Sequence, residues 1–183
     1  TRAEYNPNLA TKFTYIPKEF LQSKFFYVAT MPPQAQIDII NYLKRINPDA
    51  IIGVDTIEQY ADLEKTVDVF DLADIAFIDK EFTKLLNCKA NTKIIKLGKT
   101  GCILKDQNSE KRIYSHVIEN VVDKTGAGDC LNGVFMNLIA NGYQKQNALQ
   151  KAVETATASI QDFGIFNIKT RIKDDKKKEN FER

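Results

Sequence analysis

Residues 121–142 constrain the fold more than any other part of the sequence, because glycines there join an extended segment directly to a helix. Two valines suit the end of an extended segment, and apolar residues recur at helical spacing from Cys130 to Ile139. Asn141 followed by Gly142 is typical of a left-handed helix C-terminus. The stretch therefore predicts a flexible turn that leads straight into a helix N-terminus.

Gly126 and Gly128 make this turn suitable for binding an anion. Glycine adopts backbone conformations closed to other residues, and it leaves the amides of residues 126–129 accessible. These amides lie at the positive end of the helix dipole, which favours phosphate oxygens as ligands. Asp129 lies at the same helix N-terminus, where an aspartate is ordinarily a cap. A carboxylate beside an anion hole can also accept the proton of a hydroxyl that attacks a bound phosphoryl group.

Two other phosphate-binding motifs are excluded by their spacing. Gly98-Lys99-Thr100 is similar to the end of a Walker A loop, but that loop needs a glycine at the position of Lys93. A dinucleotide fingerprint through Gly126 and Gly128 needs a third glycine at the position of Leu131.

The turn also carries a family resemblance. The signature Asp-Thr-Thr-Gly-Ala-Gly-Asp of the pfkB (ribokinase-like) carbohydrate and nucleoside kinases is similar to Asp123-Lys124-Thr125-Gly126-Ala127-Gly128-Asp129, with Gly133 and Phe135 beyond it. The resemblance implies that Gly126, Ala127 and Gly128 form the anion hole and that Asp129 is the catalytic base. The same resemblance implies that Lys124 and Thr125 bind the nucleotide. Lys124 replaces the first threonine of the signature, and Val134 replaces a small residue.

Predicted strands and helices alternate along the chain. Residues 25–29 are fully apolar and predict a buried strand. The other predicted strands are residues 50–54, 73–78, 93–97, 102–105 and 112–116. The helical patterns are residues 34–46, a broken pattern over 57–72, 79–86, and 146–163 with Gly164 as cap. This alternation, with short connections, predicts an α/β fold with an open, largely parallel sheet and helices on both faces.

Ligands of such sheets bind beyond the carboxyl ends of the strands. Residues 94–101 resemble the strand and glycine turn beside the nucleotide in pfkB kinases, which implies nucleotide-binding roles for Lys96, Gly98 and Gly101. A glycine turn between strands is, however, most often only a hairpin. Asp55 resembles the carboxylate that closes an earlier strand of the family.

Residues 77–82 occupy the place of the Asn-x-x-Glu motif that helps to order magnesium in the family. Asp79 stands for the asparagine, while Phe82 stands where the glutamate belongs and Glu81 is one position away. The resemblance therefore implies ATP and Mg²⁺ as cofactors, with Asp79 and Glu81 as the carboxylates near the metal.

The resemblance covers about residues 25–165, in the order of the C-terminal portion of pfkB kinases. The family's N-terminal part, which carries most of the acceptor pocket, has no counterpart before Phe25. The predicted division is a lead-in over residues 1–24, a ribokinase-like α/β domain over 25–170 and a charged tail over 171–183. The tail is expected to be disordered, because it has too few apolar residues to offset its ordering entropy.

Composition limits the classes of partner. A net charge of +2 over 183 residues gives no reason to expect nucleic acid or an anionic membrane as a partner. No apolar run reaches membrane-spanning length, and the N-terminus shows no signal-peptide pattern.

The three cysteines have no metal-ligand spacing and favour a reducing compartment, the cytoplasm or another intracellular one. Cys130 is expected to pack under the turn, and His116, the single histidine, is expected to be structural or exposed.

The leading hypothesis is an ATP-dependent phosphotransferase that acts on a hydroxyl of a small molecule, a sugar or nucleoside. An alternative is a kinase-derived, catalytically silent nucleotide-binding or scaffold subunit of a larger assembly, suggested by Phe82, Lys124 and the missing N-terminal part. A third is a plain nucleotide-binding module. An apolar sheet face without cover also predicts a homo-oligomer or a subunit of an assembly.

Overall fold

The computed structural model of the chain describes residues 16–61, 64–107, 109–116, 118 and 120–164. The strands in this part are β1 (Phe25–Val28), β2 (Ile51–Val54), β3 (Ile75–Asp79), β4 (Thr92–Lys96), β5 (Cys102–Asp106) and β6 (Ser109–Ile113). The α-helices are α1 (Pro33–Ile46), α2 (Glu58–Ala61), α3 (Glu64–Leu72), α4 (Ala127–Ala140) and α5 (Lys145–Ser159). Short 3₁₀ turns lie at Phe20–Gln22, Thr83–Asn87 and Gly98–Thr100.

The strands form one sheet in the order β1-β2-β3-β4-β5-β6. The pairs β1/β2, β2/β3 and β3/β4 are parallel, and the last pair places Asp79 opposite Lys96. Only a few residues connect β4 to β5 and β5 to β6, so these pairs must be antiparallel, since a parallel pair needs a long crossover. The predicted open, largely parallel sheet with helices is confirmed.

Two crossover helices cover one face of the parallel strands. Right-handed crossovers in a sheet of sequential strand order put α1 and α3 on the same face, and the two helices contact each other. The buried stripe of α1 includes Ile39, Ile40 and Leu43, which pack in one core with Ile52 of β2 and Phe70 of α3. The same core includes Val28 of β1 and Ile78 of β3, so it packs against the carboxyl ends of β1, β2 and β3.

The chain divides into two compact units. The first comprises the chain up to Leu97 together with Ile103–Lys111, and it contains the parallel strands with α1 and α3. The second comprises Gly98–Cys102 and the chain from Arg112, and it contains α4 and α5, which pack against each other. Alanines along α5 permit this close packing, and Ala152 is fully buried. Leu149, Ala152, Val153 and Ala156 form the buried stripe of this helix, whereas Ile160 beyond its end is only partly buried and Phe163 is exposed.

Two predicted strands differ from the structure. Residues 25–29 were expected to form a buried strand, but in β1 only Val28 is buried, because β1 is an edge strand of the sheet that the structure describes. The last strand was expected at residues 112–116, whereas β6 is Ser109–Ile113. Its first four residues are exposed, so no hydrophobic pattern marks them. The expected homo-oligomer or subunit of an assembly stays a prediction.

Two predicted helices also differ. Residues 79–86 were expected to be helical, but Asp79 still pairs in the sheet and a single 3₁₀ turn, Thr83–Asn87, follows. The helix predicted over 146–163 ends at Ser159, and Phe163 is 65% exposed. It ends there because the Ile160 carbonyl accepts hydrogen bonds from a preceding segment of the chain, as described below. Gly164, the expected cap, has a left-handed φ of 60° but lies beyond the helix end.

No helix in the described ranges is both long and apolar enough to span a lipid bilayer. The division into residues 1–24, 25–170 and 171–183 stays a prediction, because the tail and most of the lead-in lie outside the described residues.

Gly101 should be indispensable for stability, whereas Gly98 in the same turn should not. Gly101 has φ 100°, and a Cβ there would overlap the backbone oxygen of Ile113 and lie 2.8 Å from the Ser115 nitrogen. Gly98 has φ 63° with nothing within 4 Å of such a Cβ. We expect Gly101→Ala to lower the free energy of unfolding by roughly 3 kcal/mol or more, from strain and overpacking together. Gly98→Ala should cost only about 1 kcal/mol, from the left-handed backbone alone.

Urea denaturation followed by circular dichroism measures both variants. Equal losses of stability would contradict the steric role of Gly101.

Candidate functional site

The N-terminus of α4 forms an open, glycine-lined turn. Gly126 is the N-cap and has a left-handed φ of 75°, and a Cβ built on it meets no atom within 4 Å. The Cys130 amide donates the first helical hydrogen bond to the Gly126 carbonyl at 2.8 Å. The first amides of an α-helix have no acceptor within the helix, and here the Ala127 amide donates to the Lys124 carbonyl instead. The predicted turn into a helix N-terminus is confirmed, and its geometry fits a bound phosphate group.

Asp129 lies in the first turn of α4 and is exposed. Its carboxylate therefore shares the helix N-terminus with the amides of Gly126, Ala127 and Gly128. A carboxylate and a set of amide donors at one helix end can together remove a proton and stabilise phosphoryl oxygens.

Asp123 orders the backbone that enters this turn. Its Oδ1 accepts a hydrogen bond from the Thr125 amide at 2.9 Å, and this bond holds the pKa of the Asp123 carboxyl below its usual value. The Lys124 carbonyl accepts the Ala127 amide at 3.2 Å. From the sequence, Asp123 was recognised only as part of the family signature. An aspartate two residues before the amide that it binds is a recognisable turn pattern and would have indicated this role.

The C-terminus of α5 supports the same segment. The Ile160 carbonyl accepts hydrogen bonds from the Val122 amide at 2.8 Å and from the Asp123 amide at 3.3 Å. Carbonyls at a helix C-terminus lack partners within the helix, so this one is available to another segment. Within this compact unit, α5 thus anchors the backbone that leads into the Gly126 turn.

A second group of charged residues lies at the carboxyl ends of the parallel strands. Lys96 ends β4, Asp79 ends β3 and Asp55 follows β2. The Lys96 Nζ lies 2.8 and 3.0 Å from the two carboxylate oxygens of Asp55 and 3.3 Å from Asp79 Oδ2. The side chains of Lys96 and Asp55 are only 12% and 7% exposed. One ammonium therefore joins the ends of three neighbouring strands.

The charge on Lys96 is stabilised by these carboxylates. Burial by itself would lower the pKa of the lysine, but Asp55 and then Asp79 outweigh burial and raise the pKa above its usual value. Because the pKa is raised in the fold, the ion pair contributes its full stability below the ordinary lysine pKa, and the contribution is lost as the pH rises through the higher folded value.

Gln36 is a further polar residue at this edge, and it was not predicted from the sequence. It is fully buried on α1, and its Nε2 donates to the Asp55 carbonyl at 2.9 Å and to the Ala29 carbonyl at 3.1 Å. It thereby joins the chain after β1 to the chain after β2. Gln36 lies four residues before Ile40 and seven before Leu43, which places it on the apolar stripe of α1. A polar residue on that stripe could have indicated its buried position.

The other candidate residues are distributed as follows. Gly98 is exposed, whereas Gly101 is buried against Ile113, so its lack of a side chain has a packing reason. Glu81 is exposed, with Oε1 3.7 Å from Lys80 Nζ. Among the described residues, no three or more His, Cys, Asp or Glu side chains are grouped as metal ligands. A magnesium-binding role for Asp79 and Glu81 stays a prediction.

Cys130 and His116 have no evident part in this chemistry. Burial raises the pKa of the Cys130 thiol, and a hydrogen bond with Ser159 of α5 only partly opposes this, so the thiol is neutral. His116 is exposed, and its carbonyl accepts a hydrogen bond from the Ser115 hydroxyl at 3.2 Å.

Residues 61–170, more than half of the chain, match the pfkB family carbohydrate kinase sequences. The chain belongs to the pfkB family. A ribokinase of Schizosaccharomyces pombe is 35% identical to this pfkB chain over 71 residues, which are 39% of the chain and 22% of that protein. A cytidine kinase of Thermococcus kodakarensis is 22% identical over 170 residues, 84% of the chain and 61% of that protein.

Solved structures of ribokinase-family proteins share the fold. The nucleoside kinase of Methanocaldococcus jannaschii has a TM-score of 0.69 at 19% identity, over 85% of this chain and 55% of that one. The ribokinase of Thermotoga maritima has a TM-score of 0.67 at 20% identity, over 84% and 56%. The predicted ribokinase-like fold is thus confirmed, and the pfkB chain spans a little over half the length of these two structures.

Loss of the Lys96 charge should destabilise the fold far more than loss of a less buried charge. Lys96→Met leaves the buried Asp55 carboxylate uncompensated, so we expect the free energy of unfolding at pH 7 to fall by about 3–5 kcal/mol. Lys44 is the matched control, because its Nζ pairs with Asp74 Oδ2 at 2.9 Å but both side chains are 32% exposed. Loss of the Lys44–Asp74 ion pair in Lys44→Met should lower the free energy of unfolding by about 1 kcal/mol or less.

Urea denaturation of both variants is the measurement. A Lys96→Met chain as stable as Lys44→Met would show that the ion pair contributes little.

Proposed function

We propose that this chain carries phosphoryl-transfer machinery of an ATP-dependent kinase that acts on a hydroxyl of a sugar or nucleoside. The observation that carries the proposal is the N-terminus of α4 in a pfkB-family chain, where a left-handed Gly126 opens the turn and Asp129 is exposed in the first helical turn. This arrangement supplies the two groups that transfer to a hydroxyl requires, a base and an anion hole.

In this mechanism Asp129 would accept the proton of the attacking hydroxyl as its oxygen bonds to the transferred phosphorus, while the bond from that phosphorus to the bridging oxygen breaks and ADP leaves. The amides of Gly126 and Gly128 would donate hydrogen bonds to the phosphoryl oxygens, on which negative charge develops, and the Ala127 amide would do so in place of its 3.2 Å bond to the Lys124 carbonyl. These donors belong to the backbone and are already ordered by the Asp123 and Ile160 contacts, so little reorganisation is needed when the phosphate binds. ATP supplies the transferred group when it is bound.

The relatives support the acceptor class but not a single acceptor. They include ribokinases, a cytidine kinase and nucleoside kinases. One solved relative, from Arabidopsis thaliana, is a ribokinase complexed with ribose and ATP, and another, from Burkholderia thailandensis, is a nucleoside kinase in complex with inosine. Ribose and inosine both present hydroxyls on a five-carbon sugar. The nucleotide-binding roles of Lys96, Gly98, Gly101 and Thr125 stay predictions.

Asp129→Asn should separate turnover from nucleotide binding. The amide keeps the size and much of the capping ability of the aspartate, but it cannot take up the proton, so we expect the rate to fall by ~10²-fold or more. Nucleotide affinity should change little, because the phosphate is held by backbone amides. The measurement is ADP release with magnesium-ATP and a panel of sugars and nucleosides, alongside nucleotide titration.

Asp38→Asn, on the exposed side of α1, is the matched control and should leave the rate unchanged. Acceptor-dependent turnover that persists in Asp129→Asn would refute the assigned base. No turnover in any variant, with nucleotide binding intact, would instead favour the silent nucleotide-binding or scaffold subunit.

Lys124 should strengthen nucleotide binding through its charge. It is exposed and adjoins the Gly126 turn, where its ammonium adds attraction for phosphate that salt screens. We expect Lys124→Thr, which restores the family residue, to weaken nucleotide affinity roughly two- to fivefold at low salt, with a smaller effect at moderate salt. Lys105→Thr, an exposed lysine on β5, is the control. Equal affinities of wild type and Lys124→Thr at both salt concentrations would remove this role.

A further inference from the structure

We propose that the Lys96 ammonium is the resident cation of the Asp55 and Asp79 carboxylates and excludes a divalent metal ion from them. Two carboxylates at the end of neighbouring strands are otherwise ligands that a hard divalent cation prefers. Here the lysine already lies between them, at 2.8 and 3.0 Å from the Asp55 oxygens and 3.3 Å from Asp79 Oδ2. Magnesium would then reach a kinase of this type with the nucleotide phosphates rather than on a site preformed by this pair.

The donor count supports this exclusion. An ammonium has three N–H donors, and three carboxylate oxygens lie within 3.3 Å of the Lys96 Nζ. A magnesium ion binds oxygen at about 2.1 Å, so it cannot share the space between these carboxylates with the ammonium. Carboxylate oxygens on two strand ends compensate the desolvation of the buried ammonium, so the lysine remains a cation.

Asp55 has little freedom to turn towards another cation. Its Oδ1 also accepts the Thr56 amide at 2.8 Å, and its carbonyl accepts Gln36 Nε2 at 2.9 Å. Asp79 is 38% exposed at its side chain and is the more accessible member of the pair. The nearby Glu81 is exposed and lies 3.7 Å from the Lys80 ammonium. In the described ranges no third metal-binding side chain completes a cluster.

The test uses Mn²⁺ alone, with the full chain and without nucleotide. In the wild-type background, Asp79→Asn and Glu81→Gln should leave Mn²⁺ affinity unchanged in calorimetric titration. Lys96→Met keeps the length of the side chain but removes its charge, so Mn²⁺ should bind at least roughly tenfold more tightly than to wild type and should raise the melting temperature. Lys96→Arg keeps the cation and should behave as wild type. Adding Asp55→Asn to Lys96→Met should abolish the gain.

Two outcomes would overturn the proposal. The first is Mn²⁺ binding to wild type that Asp79→Asn or Glu81→Gln weakens tenfold, since the carboxylates would then hold metal beside the lysine. The second is that Mn²⁺ does not raise the melting temperature of a folded Lys96→Met variant. If that variant is unfolded, the equivalent result is that Mn²⁺ does not restore its helical circular dichroism signal. These measurements need neither an acceptor nor enzyme turnover. A negative result here can therefore be distinguished from a failure of the proposed kinase activity.

Discussion

The ion pair between Lys96 and Asp55 determines how the carboxyl edge of the parallel sheet is built. A charged lysine at 12% exposure is tolerated only because carboxylates from two other strand ends compensate its desolvation. Gln36 adds neutral hydrogen bonds from α1 to the chain after β1 and β2. These polar contacts link all four parallel strands at the edge where ligands of α/β sheets bind.

The turn before α4 depends on a different principle, the conformational freedom of glycine and the unpaired donors of a helix end. Gly126 adopts a backbone angle that other residues rarely take, and Asp123 and the Ile160 carbonyl fix the segment that enters it. Its donors are main-chain amides, so its geometry depends on the backbone rather than on side-chain rotamers. A charged group such as Asp129 can be changed there without removing the donors.

Local patterns predicted most of the elements. The apolar periodicity of α1 and the glycine turn before α4 were visible because short-range steric and hydrophobic effects dominate them. Prediction failed where longer-range contacts decide the outcome. Polar β6 is a strand because a neighbouring strand pairs with it, and the Ile160 carbonyl at the early end of α5 binds a segment almost forty residues earlier in the chain.

The sequence by itself determined the family signature, the alternating strands and helices, and the place of Asp129 at a helix N-terminus, since all of these are written in neighbouring residues. Only the tertiary structure decided what Lys96 contacts. Its partners, Asp55 and Asp79, are 41 and 17 positions away in sequence, and strand register brings them together. It also decided that Gly101 is needed against Ile113, because the clash lies between backbones that no sequence pattern places side by side.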